Sequence, residues 1–181
     1  MGLAYEAVRV RFPPAQRQSD YLLVNPLGTL PTLIDGETTV FESVGAIDYL
    51  ARRYGPTPLA PEPGAPGFGA YLQCLHLSEA GLSGPLTFLL HARFLGPPDA
   101  AAEWTQGDIL QTFAQRLGLV KDRLALAPYL AGEAFTAADI AVGYALLMAR
   151  WMSVDEAFDG PINDYLERIT GRPAFECAIA V

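Results

Sequence analysis

The sequence has 181 residues, of which 51% are hydrophobic and 18% are charged, with a net charge of −8 at pH 7. An acidic chain without Lys/Arg clusters argues against nucleic acid and membrane surfaces as partners, and the low charged fraction argues against long disorder. The two cysteines, Cys74 and Cys177, lie far apart, and the sequence shows neither a membrane-spanning apolar run nor a signal-peptide pattern. Together these features predict a cytoplasmic protein.

The first part of the chain predicts a small α/β unit. Three segments have the sequence pattern of β-strands: 4–12, 30–34 and 38–41. Helical spacing of apolar residues occurs in two: 21–24 and 44–54. The Asp35-Gly36 pair predicts the hairpin turn between the second and third strands, because both residues tolerate positive φ. Gly55-Pro56 ends the second helix.

Residues 56–66 hold five prolines and predict a stiff, extended linker. The rest of the chain has helical periods and almost no strand signal. The predicted helices are at about 67–94, 100–126, 136–151, 161–170 and a short one from 173. Thr136 and Asp139 have the spacing of a capping box at the start of one of them. We therefore expect an all-helical second unit.

Pro31 lies inside a segment that otherwise has the pattern of a strand. Proline cannot donate a hydrogen bond to a β-ladder, so it belongs at an edge or at a special bend. If the Leu30–Pro31 peptide is cis, the N–H and C=O of Leu30 point outward and can pair with an extended, peptide-like ligand. The alternative is an ordinary trans proline on an edge strand, which is far more frequent among X-Pro bonds.

Glu42 and Ser43 lie where the third strand meets the following helix. One interpretation is structural, with Ser43 as an ordinary N-cap. The other uses the free N–H groups of the helix start, which together with the Ser43 hydroxyl bind a carboxylate, while Glu42 binds an ammonium group. In that second interpretation the pair holds the two charged ends of an amino acid.

The motifs NPLGTLPTLIDG, FES and AIDYLARRYG, taken together at this spacing, resemble the glutathione-binding half of the cytosolic glutathione S-transferase family. The proline-rich linker and the helices after it resemble the C-terminal domain of that family. The resemblance implies a thioredoxin-like α/β domain at 1–55, here incomplete, a linker at 56–66 and an all-helical domain at 67–181.

The resemblance also implies a function, the transfer of glutathione to a small hydrophobic electrophile by a homodimer. Leu30 and a cis Pro31 would pair with the cysteinyl backbone of glutathione, and Glu42 and Ser43 would hold its γ-glutamyl end. A glutathione-dependent isomerase, reductase or dehalogenase remains an alternative, as does a glutathione-binding module without catalysis.

In the family the electrophile lies against the first long helix of the C-terminal domain. The candidate residues for the acceptor pocket are Leu75, His76, Glu79, Leu82 and Phe88. The alternative is that these leucines and the phenylalanine are core or dimer contacts and that the histidine is merely solvated. No histidine or cysteine has the spacing of a metal site, and we expect Cys74 to be buried and inert.

The resemblance assigns no catalytic residue within this chain. In the family a Ser, Tyr or Cys near the end of the first strand or the start of the first helix activates the thiol. This sequence begins at what resembles the end of that helix, GLAYEAVRV, so the first strand and most of the first helix are expected to be lacking. A start codon assigned too late, a trimmed chain and a natural shortening with lost activity all stay open as explanations.

Overall fold

The computed structural model describes residues 1–10, 19–97 and 103–180. These residues form two compact units, Met1–Thr57 and Pro58–Ala180. The first unit combines strands and helices, and the second is built from helices, as the sequence predicts.

The N-terminal unit contains one β-hairpin. Its strands are β1 (Thr32–Asp35) and β2 (Thr38–Phe41), and its helices are α1 (Ser19–Val24) and α2 (Ser43–Arg53). The strands are antiparallel, and Asp35 pairs with Thr38. The turn is therefore Gly36-Glu37, one residue later than predicted, with Gly36 at φ 59. A two-residue hairpin turn with glycine at its first position suits the twist of the strands, so Asp35 belongs to β1 rather than to the turn.

The prediction of a strand at 4–12 is wrong over the residues that the structure describes. Residues 1–10 contain neither strand nor helix, and Val8 is 76% exposed. Residues 11–12 lie outside the described part of the chain. The alternation of apolar and polar side chains indicates a strand only when a neighbouring strand supplies hydrogen bonds, and none pairs with residues 4–10 among the described residues.

The second unit contains six α-helices in its described part. They are α3 (Phe68–Leu77), α4 (Gly84–Leu90), α5 (Glu103–Leu124), α6 (Ala137–Trp151), α7 (Gly160–Thr170) and α8 (Pro173–Ile179). Two π-helical segments, Ser78–Ser83 and His91–Leu95, join α3 to α4 and extend α4. The predicted helix at 67–94 is thus a continuous helical stretch in which two segments have wider turns.

The core of the second unit is apolar and centred on α6. The small residues Ala138, Ala145 and Ala149 are 0% exposed and allow neighbouring helices to approach closely. The large side chains with less than 2% exposure include Phe113, Leu82, Leu86, Leu117, Leu146 and Ile162. At the surface of the same unit the rings of Phe94 and Trp151 lie 5.5 Å apart, and Trp151 is 67% exposed.

Asp139 is a charged residue inside this core, with 0% exposure. Its Oδ2 accepts hydrogen bonds from the Thr136 N–H at 2.7 Å and the Thr136 hydroxyl at 2.9 Å. Its Oδ1 accepts from the Leu130 N–H and from the Tyr165 hydroxyl, both at 3.0 Å. The predicted capping box is confirmed, and it extends to two partners distant in sequence.

Candidate functional site

Leu30 precedes β1, and its peptide bond to Pro31 is cis, as the resemblance implies. The Leu30 side chain is 45% exposed. Within the described part of the chain, neither the N–H nor the C=O of Leu30 takes part in a hydrogen bond. A backbone donor and acceptor are therefore available beside the hairpin.

Helix α2 does not begin where the interpretation of Ser43 as an N-cap places its start. The N-cap is Glu42, which has φ 69 and ψ 129 and makes no side-chain capping bond, and Ser43 is the first helical residue. The Glu42 carbonyl accepts the first helical bond from the Ala46 N–H at 2.9 Å. Glu42 is exposed and Ser43 is half-buried. The interpretation of Ser43 as N-cap is wrong, because the chain enters the helix one residue earlier, through a conformation that favours glycine.

Leu30, Pro31, Glu42 and Ser43 all lie in the N-terminal unit, at the two ends of the β-hairpin. Leu30 and Pro31 directly precede β1, and Glu42 directly follows β2. The register pairs Thr32 with Phe41, so the two segments flank the same end of the hairpin. The structure thus brings together two residue pairs that are separated by the ten residues of the hairpin.

The acceptor candidates do not share one surface of the helical unit. Leu75 and Leu82 are 1% and 0% exposed, so they are core residues and offer no surface to an electrophile in this unit. This corrects their assignment to the pocket. Phe88, in contrast, is 72% exposed on α4.

His76 borders a groove that Glu79 does not line. It lines a shallow groove of about 370 Å³ between α3 and α5, together with Gln73, Leu77, Ala80, Gly81, Arg116 and Leu119. Glu79, in the first π-helical segment, accepts a hydrogen bond from the Ser83 hydroxyl at 3.1 Å. Desolvation raises the pKa of Tyr144 on α6, and the nearby Glu79 carboxylate adds to the shift. Tyr144 is a neighbour of Glu79 that sequence reasoning missed, because the two residues are 65 positions apart.

Cys74 is buried with 0% exposure, as predicted. Burial raises the pKa of its thiol to about 11, so at neutral pH it is not a thiolate nucleophile. Cys177 is exposed. Among the described residues no group of three or more His, Cys, Asp or Glu side chains could hold a metal ion.

Sequence reasoning also missed two polar residues before Leu30. Tyr21 and the buried Asn25 both donate hydrogen bonds to the carbonyl of Thr29, the residue that precedes Leu30. The asparagine of the NPLG motif was the available signal, because an asparagine beside Pro26 is typical of turns.

Comparisons with known proteins show which family this chain resembles over most of its length. The family model for the glutathione S-transferase N-terminal domain matches residues 1–58. Glutathione S-transferase 3 of Zea mays is 33% identical over 194 residues, covering 99% of this chain and 83% of that protein. BphK, a bacterial GST solved as a ternary complex, has a TM-score of 0.76 and 27% identity, covering 89% of this chain and 78% of its own. URE2P6, a glutathione transferase of Phanerochaete chrysosporium solved with oxidised glutathione, shares the fold with a TM-score of 0.81 at 22% identity, covering 99% of this chain and 84% of its own.

The chain belongs to the glutathione S-transferase family. Its fold is a thioredoxin-like N-terminal domain followed by a helical C-terminal domain. In the part of the chain that the structure describes, no helix has the length and apolar character needed to cross a bilayer.

Proposed function

We propose that this protein binds glutathione at the Leu30–Pro31 and Glu42–Ser43 segments and transfers it to a small hydrophobic electrophile. The observation that carries the proposal is the φ of 69 at Glu42. A non-glycine residue held in this region costs roughly 1–3 kcal/mol, and such residues cluster at ligand-binding sites. The conformation places an exposed carboxylate directly before the first turn of α2.

The two segments suit the two halves of a γ-glutamyl peptide. The unpaired N–H and C=O of Leu30 can form the hydrogen bonds that one strand makes with another, which suits the cysteinyl backbone. The first turn of α2 and the Ser43 hydroxyl suit the γ-glutamyl carboxylate, because helix N-terminal N–H groups and the helix dipole favour an anion. The Glu42 carboxylate suits the ammonium group beside it.

The proposed reaction forms a bond between the glutathione sulfur and an electrophilic carbon. The thiol proton goes to solvent or a base, and the leaving group departs with the electron pair of the broken bond. Binding contributes by holding the thiol in a fixed position, and we assign no residue of this chain to its activation. His76, Glu79 and Phe88 remain our candidates for contact with the electrophile. We further propose a cytoplasmic homodimer.

Titration calorimetry with glutathione tests the binding step. We expect Glu42→Gln to weaken binding by about tenfold, because a hydrogen bond to a charged group contributes about 1.5–3 kcal/mol. The control is Glu37→Gln, which makes the same change of charge at an exposed position in the hairpin turn and should leave the affinity unchanged. Equal affinities for wild type and Glu42→Gln would contradict the assignment of Glu42.

A conjugation assay with an aryl halide such as chlorodinitrobenzene tests the transfer step. Turnover with this general electrophile supports a transferase. Turnover restricted to a few carbonyl, disulfide or halide substrates supports the isomerase, reductase or dehalogenase alternatives. Glutathione binding without turnover of any of these supports a binding module.

A further inference from the structure

We infer that Tyr21 and Asn25 are positioning residues for glutathione, holding the Thr29 carbonyl so that the Leu30 N–H faces the ligand. Neither residue belongs to the two segments proposed to contact glutathione, Leu30–Pro31 and Glu42–Ser43. The inference rests on the proposed function and adds two residues that hydrogen-bond to the carbonyl before Leu30.

The Thr29 carbonyl oxygen accepts two hydrogen bonds. The Tyr21 hydroxyl donates one at 2.6 Å, and Asn25 Nδ2 donates the other at 2.9 Å. A carbonyl oxygen has two lone pairs, so its acceptor capacity is filled. This carbonyl therefore has a fixed direction, toward α1 and the buried Asn25.

The direction of the Thr29 carbonyl also determines the direction of the Leu30 N–H. The Thr29–Leu30 peptide is trans, so the Thr29 C=O and the Leu30 N–H belong to one rigid plane and point in opposite directions. Because the carbonyl points toward Tyr21 and Asn25, the Leu30 N–H points away from them. The donor needed for a backbone ligand is thus oriented before any ligand arrives.

The hydroxyl of Thr32 completes the network and fixes its proton directions. Asn25 Nδ2 lies 3.0 Å from Thr32 Oγ1, and the Tyr21 hydroxyl lies 2.9 Å from the same atom. Since the single Tyr21 proton is donated to Thr29, the Thr32 hydroxyl donates to Tyr21 and accepts from Asn25. The network spans the cis peptide on both sides, from Thr29 to the first residue of β1.

The acceptor oxygen of Asn25 also has a partner. Asn25 Oδ1 accepts from the Leu27 N–H at 2.9 Å, and the Asn25 backbone carbonyl accepts from the Gly28 N–H at 3.0 Å. Asn25 is 0% exposed and uses both ends of its amide. Its orientation is fixed, because a rotated amide would place Oδ1 against the Thr29 carbonyl.

The test compares two variants that each remove one tyrosine hydroxyl from the N-terminal unit. Tyr21→Phe removes the hydrogen bond to Thr29. Tyr49→Phe removes a bond of similar length, 2.8 Å to Asp35 Oδ2, at a place remote in sequence from the Thr29–Leu30 peptide. We expect Tyr21→Phe to weaken glutathione binding by about fivefold, the equivalent of one hydrogen bond, and Tyr49→Phe to leave it unchanged. The melting temperatures of both variants are measured as well. If the Tyr21 hydroxyl had a purely structural role, two variants that lose similar stability would lose similar affinity.

A second variant and a second readout complete the experiment. Asn25→Asp keeps the acceptor for Leu27 but turns a carboxylate oxygen toward the Thr29 carbonyl, so we expect a larger loss of affinity than with Tyr21→Phe. Amide hydrogen exchange of Leu27 and Gly28 in the ligand-free protein should accelerate about fivefold in Tyr21→Phe and stay unchanged in Tyr49→Phe.

The outcomes separate the two proposals. If wild type binds glutathione but Tyr21→Phe and Tyr49→Phe have equal affinities, the positioning role is overturned and the proposed function stands. If wild type does not bind glutathione, the proposed function fails, and the positioning role for that ligand fails with it. Weaker binding by Tyr21→Phe alone, with faster exchange at Leu27 and Gly28, supports the inference.

Discussion

Each of the two compact units contains an aspartate that accepts hydrogen bonds from tyrosine hydroxyl groups. In the N-terminal unit, Asp35 at the end of β1 accepts from Tyr49 at 2.8 Å and from Tyr54 at 2.7 Å, which ties the hairpin to α2 and the residue that follows it. In the helical unit, Asp139 accepts from the Tyr165 hydroxyl, the Leu130 N–H and both the N–H and the hydroxyl of Thr136. The chemistry is similar, but Asp139 is 0% exposed while Asp35 is only half-buried.

The two aspartates differ in burial, and burial determines how much their hydrogen bonds contribute to stability. Water can replace any hydrogen bond that Asp35 loses, so its tyrosines orient the hairpin without adding much stability. Asp139 has no solvent exposure, so each donor that points at it would be left unsatisfied without it. The helical unit therefore depends on its carboxylate for stability, and the N-terminal unit uses its polar groups to hold backbone segments in place.

The largest effect is expected from Asp139→Asn. The amide keeps one acceptor oxygen, but its NH₂ group faces two of the four buried donors that the carboxylate satisfied. We expect the free energy of unfolding to fall by about 3 kcal/mol. Urea denaturation followed by circular dichroism measures the change, and Asp122→Asn, the same charge change at an exposed position on α5, is the control. A loss no greater than that of the control would mean that the network is not needed for stability.

A smaller effect is expected from Tyr165→Phe. The ring remains packed, and only the hydroxyl that donates to Asp139 Oδ1 at 3.0 Å is lost. Because the other three donors to the carboxylate remain, we expect a loss of about 1–2 kcal/mol in the same denaturation experiment. Tyr5→Phe, at a tyrosine that is 76% exposed, should be neutral. A loss no greater than that of Tyr5→Phe would mean that the buried hydroxyl of Tyr165 does not contribute to stability.

The smallest effect is expected from Asp35→Asn, and it should depend on pH. Hydrogen bonds from Tyr54 and Tyr49, with a contribution from Arg53, lower the pKa of Asp35 below its ordinary value of 3.8. Because the folded pKa lies below the unfolded one, the stabilisation is present above about pH 3.8 and is lost as the pH falls through the folded value. Hydrogen exchange of the hairpin amides should therefore be faster in Asp35→Asn at neutral pH, and the difference from wild type should shrink below that pH. A difference that stays constant in acid would contradict the role of the carboxylate charge.

Local patterns predicted several elements closely. The strand at 38–41 has the predicted ends, and the helix predicted at 136–151 begins one residue later, at Ala137. Both elements carry their own signals, a hairpin turn in one case and a capping box in the other. Signals of this kind act within a few residues, so a sequence displays them directly.

Other features depend on partners that are remote in the sequence. Residues 4–10 have a strand pattern but no strand, because no neighbour pairs with them in the described part of the chain. Leu75 and Leu82 have the same spacing whether they face a core or a pocket, and only the packing against other helices decides. The positive φ of Glu42 has no sequence signal either, because the surrounding structure holds a glutamate in a conformation that favours glycine.

The position of Trp151, which lies beside Phe94 in the helical unit, has a spectroscopic consequence. The sequence has only two tryptophans, Trp104 and Trp151, and both belong to helices of the second unit. Intrinsic tryptophan emission therefore reports on the helical unit alone, with Trp151 contributing the red-shifted spectrum of a largely solvated indole. The N-terminal unit, where the glutathione site is proposed, contains tyrosines but no tryptophan. The only intrinsic fluorescence from within this unit is therefore tyrosine emission, also when it loses its structure. Observing that unit by tryptophan fluorescence requires a new tryptophan within residues 1–57.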